Sequence, residues 1–130
     1  MRIRFEVAGK IVGINSTYAR GPLRGGAKGL FVTAAAKEFK SRIGQHARVA
    51  MMKAHLQPIA HPCAVMIIVF NCRHDVDACS KICQDACEGI VFQNDSQVQE
   101  MHLYKMKDDK GPRMKVEVWK INEIGRNLCK

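Results

Sequence analysis

Aromatic residues are scarce in this 130-residue chain, at 6% with a single Trp, so stacking on unpaired bases is a minor mode for any nucleic-acid contact. No apolar run exceeds the eight residues of "CAVMIIVF" at 63–70, far short of the ~20 needed to span a bilayer, and membrane insertion is excluded as a role for it. The N-terminal "MRIRFEVAGK" lacks the apolar stretch of a secretory signal, so the chain is expected to be cytoplasmic with its six cysteines reduced. Acidic residues are nearly missing from the first half. Residues 1–60 hold 11 basic and 2 acidic side chains, whereas residues 61–130 hold 10 of each. The whole excess of +9 therefore lies in the first half, where it attracts polyanions, nucleic acid first, mainly through backbone phosphates.

What is present fits one domain. The length suits one hydrophobic core, and an apolar content of 47% is that of a globular protein. In "RIRFEV", Ile3, Phe5 and Val7 alternate with Arg2, Arg4 and Glu6, the period of a half-buried strand. "NSTYARGPLRGGAKGL", residues 15–30, carries Arg20, Arg24 and Lys28 with no acid and reads as a basic loop. Gly21 and Gly26 have the spacing of a Walker A loop, but Ala27 separates Gly26 from Lys28 and Gly29 follows it. A nucleotide cofactor is therefore not expected.

Thr33 is a plausible N-cap for an amphipathic helix to about Leu56, with Phe39, Ile43, Ala47, Ala50 and Ala54 on one stripe. Pro58 and Pro62 end it, and strand 63–70, with no alternation, is expected to be buried on both faces. A second helix is predicted from about Asp77 to Glu88. "VQEMHLYKM" and "MKVEVWKI" are predicted to pair as an antiparallel hairpin around "KDDKGP". The expected fold class is α/β (α+β), a small mixed sheet flanked by two helices.

The chemistry concentrates in "RHDVDACSKICQDACEGIVFQNDSQV", residues 73–98. Asp75 and Asp77 fall where the apolar strand ends and the second helix begins, a rigid and solvent-accessible position. Converging carboxylates favour a hard cation such as Mg²⁺ and repel one another without one. Lys81 lies four residues after Asp77, one helical turn on, within reach of a bound phosphate or of that carboxylate. Cys79, Cys83 and Cys87 are zinc-ligand types, but their stripe spans about 12 Å along a helix, too long for one ion. Buried small hydrophobes are the better reading, and with Ile82 and Ala86 they also offer a dimer contact. Trp119 reads as packing, and His74 as either an exposed side chain or a phosphate contact.

At these residues the sequence resembles the RusA-type Holliday-junction resolvases. "DVDACSKICQDAC" followed by "GIVFQNDSQV" is similar to that family's Asp-x-Asp-Asn, a Lys four residues on, a downstream Asp-Ala and then Asp-Asp-x-Gln-Val; "NSTYARG", "LFVTAAAKEFK" and "MKVEVWKI" extend the likeness. Ala78 stands in place of the family's Asn, and Asn94 in place of the first of its paired aspartates. The segment between Lys81 and Asp95 is one residue shorter, a difference assigned to the turn near Gly89. The resemblance implies one RusA-like domain over residues 1–130, forming a homodimeric endonuclease that nicks four-way DNA junctions in recombination and repair, encoded by a bacterium or a phage. It implies Mg²⁺ as cofactor, for which Mn²⁺ can substitute. Asp75, Asp77 and Asp95 are its expected metal carboxylates and Lys81 its catalytic or phosphate-contacting lysine; Asn15, Tyr18, Arg20, Arg24, Lys28 and Arg73 are its expected DNA contacts. The rival readings are a catalytically silent dimer that binds branched DNA and a zinc-stabilised adaptor.

Overall fold

In the computed structural model, residues 2–13, 18–22 and 28–121 are described, and for 18–22 and 28–32 the backbone alone. The elements run β1 (Arg2–Ala8), β2 (Tyr18–Pro22), β3 (Lys28–Val32), α1 (Ala34–Lys53), β4 (Cys63–Phe70), α2 (Ser80–Cys87), β5 (Val98–Met106) and β6 (Arg113–Lys120). A 3-10 turn at Asp95–Gln97 precedes β5. The fold is α+β: β1, β6, β4 and β5 form a mixed four-stranded sheet in that order, and β2 with β3 forms a separate antiparallel hairpin. The expected loop over 15–30 thus contains two paired strands.

Sheet register explains the core. Ile3, Val118 and Val65 share one row, and Val7, Met114 and Val69 another. These side chains are buried in one cluster with Phe39, Ile43 and Ala47 of α1 and Ile82, Cys83, Ala86 and Cys87 of α2. Both helices therefore cover the same face. The opposite face, which presents Arg4, Glu117 and Met66 in one row and Glu6, Lys115 and Ile68 in the next, contributes nothing to that cluster. Burial of β4 on both faces is accordingly incomplete, since Met66 and Ile68 are only half-buried.

Thr33 caps α1, its Oγ1 accepting from the Ala36 N–H at 3.2 Å. The predicted hairpin of 98–106 with 114–121 does not form. β4 lies between the two strands, parallel to β5 and antiparallel to β6. An apolar strand needs hydrogen-bonded partners on both edges, and that demand outweighs the local turn signal. The connection is pinned as it crosses the end of β4: Asn71 donates from Nδ2 to Asp108 Oδ1 at 2.9 Å and to the Gly111 carbonyl at 2.8 Å, and accepts the Asp108 N–H at 2.9 Å. Arg113 pairs with Asp108 at 2.6 Å, and this guanidinium holds the Asp108 carboxyl well below the usual carboxylate range.

Candidate active site

The segment leaving β4 is rigid where it carries charge. Asn71 takes the left-handed conformation, at φ 59°, and turns the chain. The His74 carbonyl accepts from Lys105 Nζ at 2.6 Å, and its N–H points to Cys72 Sγ at 3.4 Å. Its half-buried ring lies against Gly13, where an added Cβ would meet ring carbon Cγ at 2.7 Å. The last described residue before the basic segment is thus seated against the residue preceding Asp75. Lys10, Ile11, Val12, Ala35, Asn71, Arg73, His74 and Pro112 help to line a cleft of about 370 Å³ here.

Asp75 and Asp77 are both exposed. The second helix starts later than predicted, at Ser80, because the preceding residues close single turns: Ala78 N–H to the Asp75 carbonyl at 3.0 Å, and Ser80 Oγ to the Asp77 carbonyl at 2.9 Å. Asp77 is therefore not on one helical face with Lys81. The lysine's helical partner is Asp85, one turn on, at 3.0 Å.

Asp95 reaches the same lysine from the far side of the turn after α2, its Oδ2 lying 3.3 Å from Lys81 Nζ. The two carboxylates push the ammonium pKa upward, Asp85 most. Ligand oxygens of Asp85, Glu88 and Asp95 all lie within 4.8 Å of one another. Asp75 and Asp77 do not belong to that tight group. Lys81 supplies positive charge beside two of these acids, Asp85 and Asp95, which offsets their mutual repulsion.

Asn94 and Gln97 hold Asp95 in place. Asn94 Oδ1 accepts the Ser96 N–H at 2.9 Å, and Gln97 Oε1 accepts the Asn94 N–H at 2.8 Å, a capping box. Gln97 Nε2 then donates to the carbonyls of Ile59 at 2.7 Å and His61 at 2.9 Å. The turn is bolted to the segment entering β4.

The family model described as Endodeoxyribonuclease RusA matches residues 15–119, a span containing Asp75, Asp77, Lys81, Asp85, Glu88, Asp95 and Gln97. The chain belongs to the RusA endodeoxyribonuclease family. Among individually curated proteins none matches it significantly. In this RusA-family chain, Asn94 performs a backbone-capping role. Of the expected DNA contacts, Arg73 is exposed beside Asp75; Tyr18 and Arg20 lie in β2 and Lys28 in β3, while Asn15 and Arg24 lie outside the described residues. Asp85 and Glu88 lie with Asp95, and Gln97 braces its turn; the sequence reading quotes Asp85 and Gln97 only as parts of the resembling motif and assigns none of the three a role. The signal for Gln97 is the Asn-x-x-Gln spacing of a capping box, and for Asp85 the i, i+4 spacing from Lys81.

Cys79, Cys83 and Cys87 are buried, as small hydrophobes are. Burial pushes the thiol pKa of Cys79 up to about 11. With Ile82 and Ala86 they complete the core of one chain, so α2's apolar stripe is not available as a dimer contact. Among the described residues no helix is long and apolar enough to cross a membrane.

Proposed function

We propose that this family member is a Mg²⁺-dependent, structure-selective endonuclease that resolves four-way DNA junctions by paired symmetric nicks in recombination and repair. The observation that carries the reading is the convergence of Lys81 and Asp95 at 3.3 Å, with Asp85 and Glu88 alongside, in a family of endodeoxyribonucleases.

The donor types fit a hard divalent ion: the carboxylates of Asp75 and Asp77 are exposed and that of Asp95 is half-buried, and oxygen donors suit such an ion. Asp75, Asp77 and Asp95 are the proposed ligands, and Asp85 stands close enough to Asp95 to join them or orient them. Bound there, the ion would supply Lewis-acid stabilisation of charge building on the phosphate. The chain's own groups do the rest. Lys81, paired with Asp85 and Asp95 on an exposed side chain, is placed to turn its ammonium to a non-bridging phosphate oxygen. Arg73 meets a neighbouring phosphate, and the basic segment with Asn15, Tyr18, Arg20, Arg24 and Lys28 holds the arms. Mn²⁺ satisfies the same oxygen-donor chemistry and is expected to substitute. No nucleotide cofactor enters, and bacterial or phage cytoplasm is the proposed setting.

The test is incubation of an end-labelled four-way junction with the protein and Mg²⁺, beside a linear duplex of the same sequence. Symmetric nicks in the junction alone support the reading. A shifted but intact junction would instead mark a silent binder of branched DNA.

A further inference from the structure

The cleft of about 370 Å³ beside Asp75 has no part in the carboxylate chemistry. Four pieces of chain wall it: Lys10, Ile11 and Val12 as they leave β1, Ala35 in the first turn of α1, the segment leaving β4, and Pro112 entering β6. Three of these are tied to their neighbours. Arg42 donates to the carbonyls of Ala8 and Lys10, the second at 3.1 Å, the Gly9 N–H donates to the Pro112 carbonyl at 3.0 Å, and Asn71 is bonded to Asp108 and Gly111. Hydrogen bonds within and behind its walls therefore give the cleft its shape in the absence of any occupant.

The chemistry of the lining identifies the occupant. The same bonds use the polar groups of the walls: Asn71 Nδ2 donates twice, and the carbonyls of Lys10, Pro112 and His74 each accept. What remains is largely the carbon of Ile11, Val12, Ala35 and Pro112, with the half-buried thiol of Cys72. Water in such a place is poorly bonded, and a flat or apolar group that displaces it gains affinity. Two cations complete the lining. Lys10 and Arg73 are exposed, and among the described residues neither side chain has a hydrogen bond or ion pair. An apolar seat beside two unpaired cations matches a nucleotide, whose base is flat and whose phosphate is anionic. A phosphate alone would satisfy the cations and leave the seat to water.

We propose that this cleft seats one unstacked nucleobase of the DNA, beside the phosphate that faces Asp75, and that the seat favours branched over continuous DNA. Drawing a base out of a stacked duplex costs a few kcal/mol, and least where the base is already unpaired, as at a branch point. The seat and the carboxylate are neighbours, because His74 lines the cleft and Asp75 follows it directly, one backbone step of about 3.8 Å. With aromatic residues at 6%, a single aliphatic seat suits this chain better than a stacking platform. Since branched DNA is the substrate proposed above, the seat rests on that reading, but it requires no cutting.

Four-way junctions carrying 2-aminopurine at one branch-point position at a time, bound in metal-free buffer so that no strand is cut, test the seat. Anisotropy of a separate label reports binding, and the emission of the probe base, which stacking quenches, reports its surroundings. On binding, emission should rise about threefold or more at one position and stay low in a continuous duplex of the same sequence. Ala35→Leu, which fills the cleft from an exposed position, should abolish the rise while keeping the helical circular dichroism. In the wild type, bound junction should slow iodoacetamide labelling of Cys72, a lining residue, by about fivefold or more, a readout that needs no variant. A bound junction with no rise at any branch-point position, a rise that survives Ala35→Leu, or unchanged Cys72 labelling would overturn the inference. A chain that binds no junction would overturn the proposed function with it. A rise that Ala35→Leu removes, in a protein that makes no nicks with Mg²⁺, would uphold the seat and refute only the cutting.

Discussion

Lys81 and Asp95, fourteen positions apart in sequence, meet at 3.3 Å across the turn that follows α2. The Lys81 side chain is 63% exposed, so the contact contributes little to stability and has a positional meaning instead. It occupies the point on which Asp85 and Asp95 converge, so the proposed divalent cation would compete with it.

Removing the lysine therefore has opposed effects on binding and chemistry. Lys81→Gln should tighten Mg²⁺ binding by up to roughly fivefold, since an exposed competing charge is worth only about 1 kcal/mol or less. The same change should slow junction nicking by about 100-fold or more, because no ammonium then faces the phosphate. Titration calorimetry with Mg²⁺ and single-turnover cleavage measure the two separately. Unchanged metal affinity would show that the lysine and the ion do not share the carboxylates.

Gly13→Ala tests the contact between the basic segment and the residue before Asp75. A methyl group at this position runs into the His74 ring at 2.7 Å, and overpacking of this kind costs about 1–3 kcal/mol. A lowered Tm is expected, with most of the loss recovered when His74→Ala is added. A Gly13→Ala chain as stable as wild type would show that His74 swings aside freely.

These elements also show what sequence can and cannot carry. β1 and α1 are legible because each has one buried face and a clean period: Ile3, Phe5 and Val7 in one, Phe39, Ile43 and Ala47 in the other. Strand pairing is not legible. "KDDKGP" has the composition of a hairpin turn, yet its Asp108 and Gly111 are held by Asn71, from the end of a strand that inserts between β5 and β6. That choice is tertiary, as is the meeting of Asp85 and Glu88 with Asp95, which depends on how the chain reverses after α2. The start of α2 departs from expectation because Asp75 and Asp77, good capping residues by type, have their carbonyls enlisted in successive turns.

The thiols provide a chemical probe of the core. Burial pushes Cys63 and Cys79 up to about 11, and a hydrogen bond with the free thiol of Cys87, together with burial, pushes Cys83 well above its ordinary value. A thiol titrating near 11 holds about one thiolate in a thousand at pH 8, and the thiolate is the reactive form. Among the described cysteines, iodoacetamide at pH 8 should thus modify half-buried Cys72 first and spare Cys63, Cys79 and Cys83 until the chain unfolds, with their reactivity rising as pH climbs toward 11. Peptide mapping by mass spectrometry reads the order, and prompt labelling of Cys83 in the native protein would contradict the packing of α2.

Neutralising the basic segment should change the salt dependence of binding more than its structure selectivity. Each phosphate pairing removed from among Arg20, Arg24 and Lys28 should reduce the slope of log K against log salt by about 1. Fluorescence anisotropy of a labelled junction across a salt series measures it. An unchanged slope in the triple alanine variant would remove this segment from the interface.

The central claim, that the carboxylates of this RusA-family chain act in metal-assisted cutting of branched DNA, is tested most directly by Asp95→Asn. With a labelled four-way junction, the variant should bind at least as tightly as wild type, because a negative charge facing phosphate has been removed, while Mg²⁺-dependent nicking falls by several kcal/mol of transition-state stabilisation, about a thousandfold. Nicking by Asp95→Asn at the wild-type rate, with or without Mg²⁺, would contradict the account.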